Sequence, residues 1–172
     1  MGNHSNTQNT NWSSFTLRVN ISKSIHEIYN CWATREGLES WFLREAIFKD
    51  AGGKQRQKKS AAQNGDGYEW RWHGYPDDVT EKGTVIEANG TDKFIFTFSL
   101  DCPVAIRIYP EADETIVELI ESGLPTDDKT KAGHFVSDSR GWIFYLTNLK
   151  SVLEGGLDLR NKKIEIRNVI TA

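Results

Sequence analysis

The chain has 172 residues, a mass of 19.5 kDa and a formal net charge of −3. This length predicts one domain with room for a hydrophobic core, and the mild charge argues against a general attraction to nucleic acid or an anionic membrane. The two cysteines, Cys31 and Cys102, lie far apart without a CxxC motif, which favours reduced thiols over a disulfide scaffold or a zinc site.

The N-terminal residues 1–14, MGNHSNTQNTNWSS, are polar and lack the apolar core of a secretory signal. No apolar run in the chain approaches the roughly 20 residues that a membrane-spanning helix needs. We therefore expect a disordered tail over residues 1–14, no membrane span and a cytoplasmic location.

A strand and two short helices are predicted next. Residues 15–21, FTLRVNI, alternate apolar and polar side chains, as a half-buried strand does. Ser24 and Glu27 have the spacing of a capping box at the start of a helix, and Thr34 can cap a second helix. Apolar side chains recur at helical spacing in both segments, which carry three large aromatic residues: Trp32, Trp41 and Phe42.

A series of strands is predicted through the middle of the chain. A polar stretch without periodicity over residues 50–67 predicts a mobile loop, which could act as a gate to a site. Alternating runs begin near residues 45, 68, 83, 93, 104 and 115, and their short connections predict antiparallel pairing. Their apolar faces carry several aromatic residues: Trp70, Trp72, Phe94, Phe96 and Phe98.

The last large element is a long helix with a wide apolar stripe, formed by Trp142, Tyr145, Leu146 and Leu149. Asp138 or Ser139 can cap its start and Gly155-Gly156 its end, which predicts a helix roughly 25 Å long. Residues 157–172 form a C-terminal extension of mixed character. Within it, Ile164 and Ile166 indicate either a short edge strand or a contact with a partner.

Three segments carry a resemblance to a known family. They are IYNCWATREGLESWF at residues 28–42, GDGYEWRWHGYPDDVTEKGTVIE at residues 65–87 and GWIFYLTNLKSVLEGGLDLRNK at residues 141–162. With the order of the elements, they resemble the START-like (SRPBCC) superfamily. The nearest resemblance is to single-domain bacterial proteins similar to the C-terminal domain of the activator of the ninety-kilodalton heat-shock chaperone ATPase.

This resemblance implies an α+β helix-grip fold, as in the birch pollen allergen, over residues 15–156. In that fold a curved antiparallel sheet wraps around the long C-terminal helix, and two short helices follow the first strand. It also implies an apolar cavity between sheet and helix, which in many relatives holds a hydrophobic or amphipathic small molecule.

The aromatic excess gives a set of candidate cavity residues. Trp41, Trp70, Phe96, Trp142 and Leu146 are the first choices, and Tyr145 or Arg107 could orient a polar end of the ligand. Arg107 has an alternative, an ion pair with Glu118 across neighbouring strands. The rings themselves could instead only fill the core. The full predicted lining is Trp32, Trp41, Phe42, Trp70, Trp72, Phe94, Phe96, Phe98, Arg107, Trp142, Tyr145, Leu146 and Leu149.

Catalytic signatures are missing from the sequence, which has no G-x-S-x-G, H-E-x-x-H or phosphate-binding glycine motif. The four histidines are isolated from one another, at His4, His26, His73 and His134. We therefore predict a non-catalytic binding protein without a cofactor or metal. An enzyme of the cyclase or aromatase type stays open, because scattered residues can assemble in a shaped pocket.

A chaperone-activating role is the other alternative that the resemblance implies. The eukaryotic activator makes most of its chaperone contact through a separate N-terminal domain, whereas only a short polar tail precedes the first predicted strand here. A chaperone is therefore a less favoured partner than a hydrophobic small molecule. Both a monomer and a homodimer fit the sequence.

Overall fold

One antiparallel sheet and three helices make up the fold. The computed structural model describes residues 11–166 and 169. The elements in chain order are β1 (Ser14–Ile21), α1 (Ile25–Ala33), α2 (Arg35–Trp41), β2 (Glu45–Lys49), β3 (Gly67–Arg71), β4 (Glu81–Ala88), β5 (Lys93–Phe98), β6 (Cys102–Glu111), β7 (Glu114–Ser122) and α3 (Lys131–Leu153).

The seven strands lie in the order β1-β7-β6-β5-β4-β3-β2, so strands β2 to β7 form a continuous meander and β1 closes against the last strand. Every pairing is antiparallel. The register shifts between Val85 and Glu87 of β4, the kind of irregularity that bends a strand. The curved sheet, the long C-terminal helix and the two short helices after β1 confirm the predicted helix-grip fold.

The two short helices meet at Thr34, as predicted. Ser24 and Glu27 form a complete capping box at the start of α1. Thr34 ends α1 and also caps α2, because its side chain accepts a hydrogen bond from the backbone N–H of Gly37. A Cβ at residue 37 would lie 2.1 Å from the backbone oxygen of Asn30. Glycine is therefore what lets α2 pack directly against α1.

The core lies on the concave side of the sheet. On β6, Val104, Ile106 and Ile108 are buried, whereas Arg107 between them is exposed. Arg107 stands directly opposite Glu118 of β7, with an ion-pair distance of 3.9 Å. The sequence analysis gave this cross-strand ion pair as the alternative to a ligand-binding role for Arg107. The pair places Arg107 on the outer face of the sheet.

Helix α3 begins earlier than the sequence predicts. It starts at Lys131, with Thr130 as N-cap and no side-chain hydrogen bond to the cap, and its 23 residues span about 35 Å. Phe135 in the added turns packs edge-on against Trp12 and Phe15, with ring centroids 5.2 and 5.4 Å apart. Long-range packing of this kind leaves no periodic signal in the local sequence, which is why the prediction started the helix too late.

The stretch between β2 and β3 was predicted to be mobile, but backbone hydrogen bonds fix it at several points. Ala62 donates to the carbonyl of Ala33 at the end of α1, and Arg56 donates to Phe48 in β2. The side chain of Arg56 also pairs with Asp66, which is almost fully buried. This stretch is therefore part of the packed structure.

The segment after α3 is tied to the end of α2. Arg160 is buried and donates hydrogen bonds to the carbonyl oxygens of Glu39, Ser40 and Leu43. Residues 157–166 contain no strand, so the edge strand suggested by Ile164 and Ile166 is not formed there.

Two other predictions concern the ends of elements. The alternation of Phe94, Phe96 and Phe98 predicts that Leu100 continues the apolar face of the strand, but it lies 64% exposed in the turn between β5 and β6. Of the predicted tail over residues 1–14, residues 1–10 lie outside the described part of the chain. Beyond that, Trp12 packs on α3 and Ser14 begins β1. No helix in residues 11–166 has the length and apolar character needed to cross a membrane.

Candidate functional site

A dense aromatic core occupies the space between α1, α2 and the sheet. Trp32 and Trp41 are fully buried, with ring centroids 4.7 Å apart in an edge-to-face arrangement. Trp70 and Phe96 are also fully buried, with ring centroids 5.1 Å apart. The indole N–H of Trp41 donates to the carbonyl of Cys31 at 3.0 Å. These rings mainly fill the core.

A cavity of about 260 Å³ lies beside this core, between the first half of α3, the end of β5 and the connection from β3 to β4. It is partly open to solvent. Phe42, at the C-terminal end of α2, forms one wall. The residues that line the cavity are Phe42, Trp72, Tyr75, Val79, Phe98, Ser137, Asp138, Gly141, Trp142 and Tyr145.

The rings around the cavity hold one another in place. Phe42 contacts the rings of Tyr145 and Trp142 at centroid distances of 4.6 and 5.3 Å. Trp142 also contacts Phe98 at 5.1 Å, and Phe42 contacts Trp72 at 5.8 Å. The walls are therefore built from large, mutually packed rings, which can form a preformed apolar site.

The structure divides the predicted lining into three groups. Five of the predicted residues line the cavity: Phe42, Trp72, Phe98, Trp142 and Tyr145. Seven others are buried in the adjoining core and do not line it: Trp32, Trp41, Trp70, Phe94, Phe96, Leu146 and Leu149. Arg107 lies on the outer face of the sheet, away from the cavity.

Several residues of the cavity were not predicted to be part of it. Tyr75 and Val79 lie in the irregular connection after β3, where no periodic pattern indicates which side chains point inward. The sequence suggested Asp138 only as a helix cap, but α3 starts at Lys131, so Asp138 stands within the helix and faces the cavity.

A buried carboxyl group lies directly behind the cavity. Glu121 of β7 is fully buried, and its Oε2 atom accepts a hydrogen bond from the indole nitrogen of Trp142 at 2.8 Å. The Oε1 atom of Glu121 and the Oδ2 atom of Asp138 are both buried without a hydrogen-bond partner among the described residues. The alternation of β7 could have indicated the burial of Glu121, because Glu121 follows Val117 and Leu119 at every second position on the buried face.

Burial shifts the proton affinity of the acids at this end of the molecule. Burial, followed by the nearby charge of Asp138, raises the pKa of Glu121 to about 8, against the opposing hydrogen bond from Trp142. Burial also raises the pKa of Asp138, with His134 opposing the shift, and raises that of Glu81. These carboxyl groups therefore hold protons more readily than ordinary ones.

The cysteines do not offer a reactive site. Both are free and buried. Burial raises the pKa of Cys31 to about 11 and also raises that of Cys102, so both remain thiols near neutral pH. Within residues 11–166 and 169, no group of His, Cys, Asp and Glu side chains could hold a metal ion.

The sequence of the chain matches one family. The profile described as "Activator of Hsp90 ATPase homolog 1-like protein" matches residues 22–154, which is most of the chain. A search of curated proteins finds no match.

Solved structures with this architecture come from several bacteria. A protein from Staphylococcus saprophyticus aligns with a TM-score of 0.66 at 15% identity, over 86% of this chain and 96% of its own. The Aha1 dimer from Colwellia psychrerythraea aligns with 0.62 at 16% identity, over 83% and 97%. DynU16, from the dynemicin biosynthetic locus, aligns with 0.64 at 15% identity, over 87% and 50%. At these identities the likeness establishes the fold alone.

Proposed function

The chain belongs to the family of Activator of Hsp90 ATPase homolog 1-like proteins, and from that premise we propose that it binds a hydrophobic or amphipathic small molecule without transforming it. The observation that carries this proposal is the aromatic cavity of about 260 Å³ between α3 and the sheet. Its size and its few polar groups suit a compact ring-containing ligand.

The composition of the walls supports binding over simple core packing. Tyr75 and Val79 are about 40% exposed in the free protein, and Trp72 and Phe98 are only partly buried. A ligand that covered these side chains would remove apolar surface from water, at roughly 25 cal/mol per Å². The free energy of binding would therefore come mainly from covering side chains that are partly exposed in the free protein.

Gly141 provides a direct test, because it lines the cavity in the middle of α3 and a Cβ there would meet nothing within 4 Å. We expect Gly141→Leu to fill the cavity without lowering the stability, since leucine is a better helix former than glycine. Native mass spectrometry of the freshly purified protein should detect a bound small molecule in the wild type and lose it in this variant.

Gly133→Leu is the matched control, since residue 133 lies in the same helix, also has open space and does not line the cavity. It should retain the ligand. Equal ligand occupancy in the wild type and Gly141→Leu would contradict the proposal. So would a wild type that carries no ligand and shows no change in melting temperature with any member of a panel of fatty acids, aromatic amines and polycyclic aromatics.

A further inference from the structure

Among the described residues that line the cavity, one carries a charged group, and that group is an acid. Asp138 is the only Asp, Glu, Lys or Arg among the lining residues. Its side chain forms no hydrogen bond or ion pair with another described residue, and its Oδ2 atom is shielded from solvent. A carboxyl group left unpaired in an apolar wall costs free energy in the free protein, and a suitable ligand group would recover that cost.

The proposed binding function can therefore be made more specific: we propose that the ligand carries a positively charged nitrogen, which sits between the aromatic walls and Asp138. The inference rests on the proposed function. It commits to a hydrophobic amine, in which an apolar ring system occupies the cavity and an ammonium group faces the carboxylate.

The aromatic walls fit such a ligand for a second reason. Six rings line the cavity, and the faces of aromatic rings attract cations, most strongly where water is excluded. The rings belong to Phe42, Trp72, Tyr75, Phe98, Trp142 and Tyr145. A carboxylate and several ring faces around one space can stabilise an organic cation jointly.

Apart from tyrosines, the other titratable groups near Asp138 are not among the described residues that line the cavity. Behind Trp142 lies the carboxyl group of Glu121, with its Oε1 atom unpaired. Glu81, Cys102, Glu121 and His134 interact electrostatically with Asp138, and Lys129 lies at the same end of α3. Because the raised pKa values of Cys102 and Glu121 keep both groups neutral near pH 7, the preference for a cation is assigned to Asp138 itself.

The same cavity disfavours a ligand that carries a carboxylate. No lysine or arginine among residues 11–166 lines the cavity, and Arg107 lies on the outer face paired with Glu118. A ligand carboxylate would therefore lie beside Asp138 without a compensating charge, which like-charge repulsion in a poorly solvated site disfavours.

The test compares three probes of one shape: 1-naphthylmethylamine, 1-naphthalenemethanol and 1-naphthoate. Their affinities are measured at pH 7 by isothermal titration calorimetry. The wild type should bind the amine at least about tenfold more tightly than the alcohol, and the carboxylate most weakly. Asp138→Asn should lower the affinity for the amine by about tenfold and leave the affinity for the alcohol nearly unchanged.

Asp128→Asn is the control, because it removes the same charge from a side chain that is 93% exposed before α3. It should keep the preference for the amine. If the three probes bind the wild type equally, or if Asp138→Asn keeps the preference, the charge inference is wrong while the binding function stands. If none of the three binds, the charge inference is wrong, and native mass spectrometry with the melting-temperature panel decides the binding function separately.

Discussion

At the scale of single residues, Glu121 is unusual because its carboxyl group is fully buried. It is a carboxyl group with no exposed surface, held by one hydrogen bond from Trp142. Since its pKa rises to about 8 in the folded chain, the folded state keeps a proton that the unfolded chain releases near the ordinary value of 4.5. Folding and protonation are therefore linked at this position.

The linkage predicts the direction of a pH effect on stability. The stability that Glu121 contributes is fully present below about pH 4.5 and is lost as the pH rises towards 8. Glu121→Gln keeps the shape and an acceptor for the indole N–H, but cannot ionise. Relative to the wild type, the free energy of unfolding of this variant should increase as the pH rises from 5 to 8. The difference, measured by urea denaturation, should reach on the order of a few kcal/mol at pH 8.

Glu118→Gln controls for the loss of a carboxyl group from the same strand, because residue 118 lies in the opposite phase of β7 and faces Arg107. Its unfolding free energy should follow the wild-type pH curve. Parallel curves for Glu121→Gln and the wild type between pH 5 and 8 would show that Glu121 is ionised in the folded protein, contrary to this account.

At the scale of elements, the junction of α1 and α2 depends on one glycine. A Cβ at residue 37 would lie 2.1 Å from the Asn30 oxygen and 2.6 Å from the Cys31 Cα, both backbone atoms that cannot move aside alone. The close approach sets where Phe42, at the end of α2, enters the cavity wall. The junction therefore connects local backbone geometry to the binding site.

Gly37→Ala should destabilise the protein by about 3 kcal/mol, because the helices must separate to admit the methyl group. Gly133→Ala is the contrasting variant, since residue 133 is also helical but its Cβ would meet nothing within 4 Å. It should stabilise the protein by about 0.5–1 kcal/mol through helix propensity. Denaturation midpoints measure both changes, and equal effects at the two positions would refute this view of the junction.

The elements themselves were largely predictable, because strands and caps leave local signals. Alternation located all seven strands, and the capping box with Thr34 located the two short helices. The early start of α3 was missed because it depends on Phe135 packing against Trp12, a contact across the chain. The fixed stretch after β2 was missed for the same reason, since its hydrogen bonds reach the end of α1 and β4.

At the scale of the whole molecule, the fold was more predictable than the site. Apolar periodicity shows which side chains turn inward, but it cannot show where inward-facing rings leave space. Trp41 and Trp70 look equivalent to Trp142 in the sequence, yet they are fully buried in the adjoining core while Trp142 borders the cavity. Only the relative position of α3 and the sheet separates these roles.

The six tryptophans therefore act as internal reporters of where a ligand binds. Trp72 and Trp142 line the cavity, whereas Trp32, Trp41 and Trp70 are core residues. Trp12, the sixth, packs on Phe135 at the start of α3. A small molecule in the cavity would change the surroundings of two indole groups and leave four nearly unchanged.

The most direct measurement is a titration of the ¹⁵N-labelled protein with 1-naphthylmethylamine, followed through the indole N–H resonances. We predict that the signals of Trp72 and Trp142 shift in a saturable manner while the other four stay in place. Shifts confined to Trp12 or to the core tryptophans, or no saturable shift at all, would contradict binding in the cavity between α3 and the sheet.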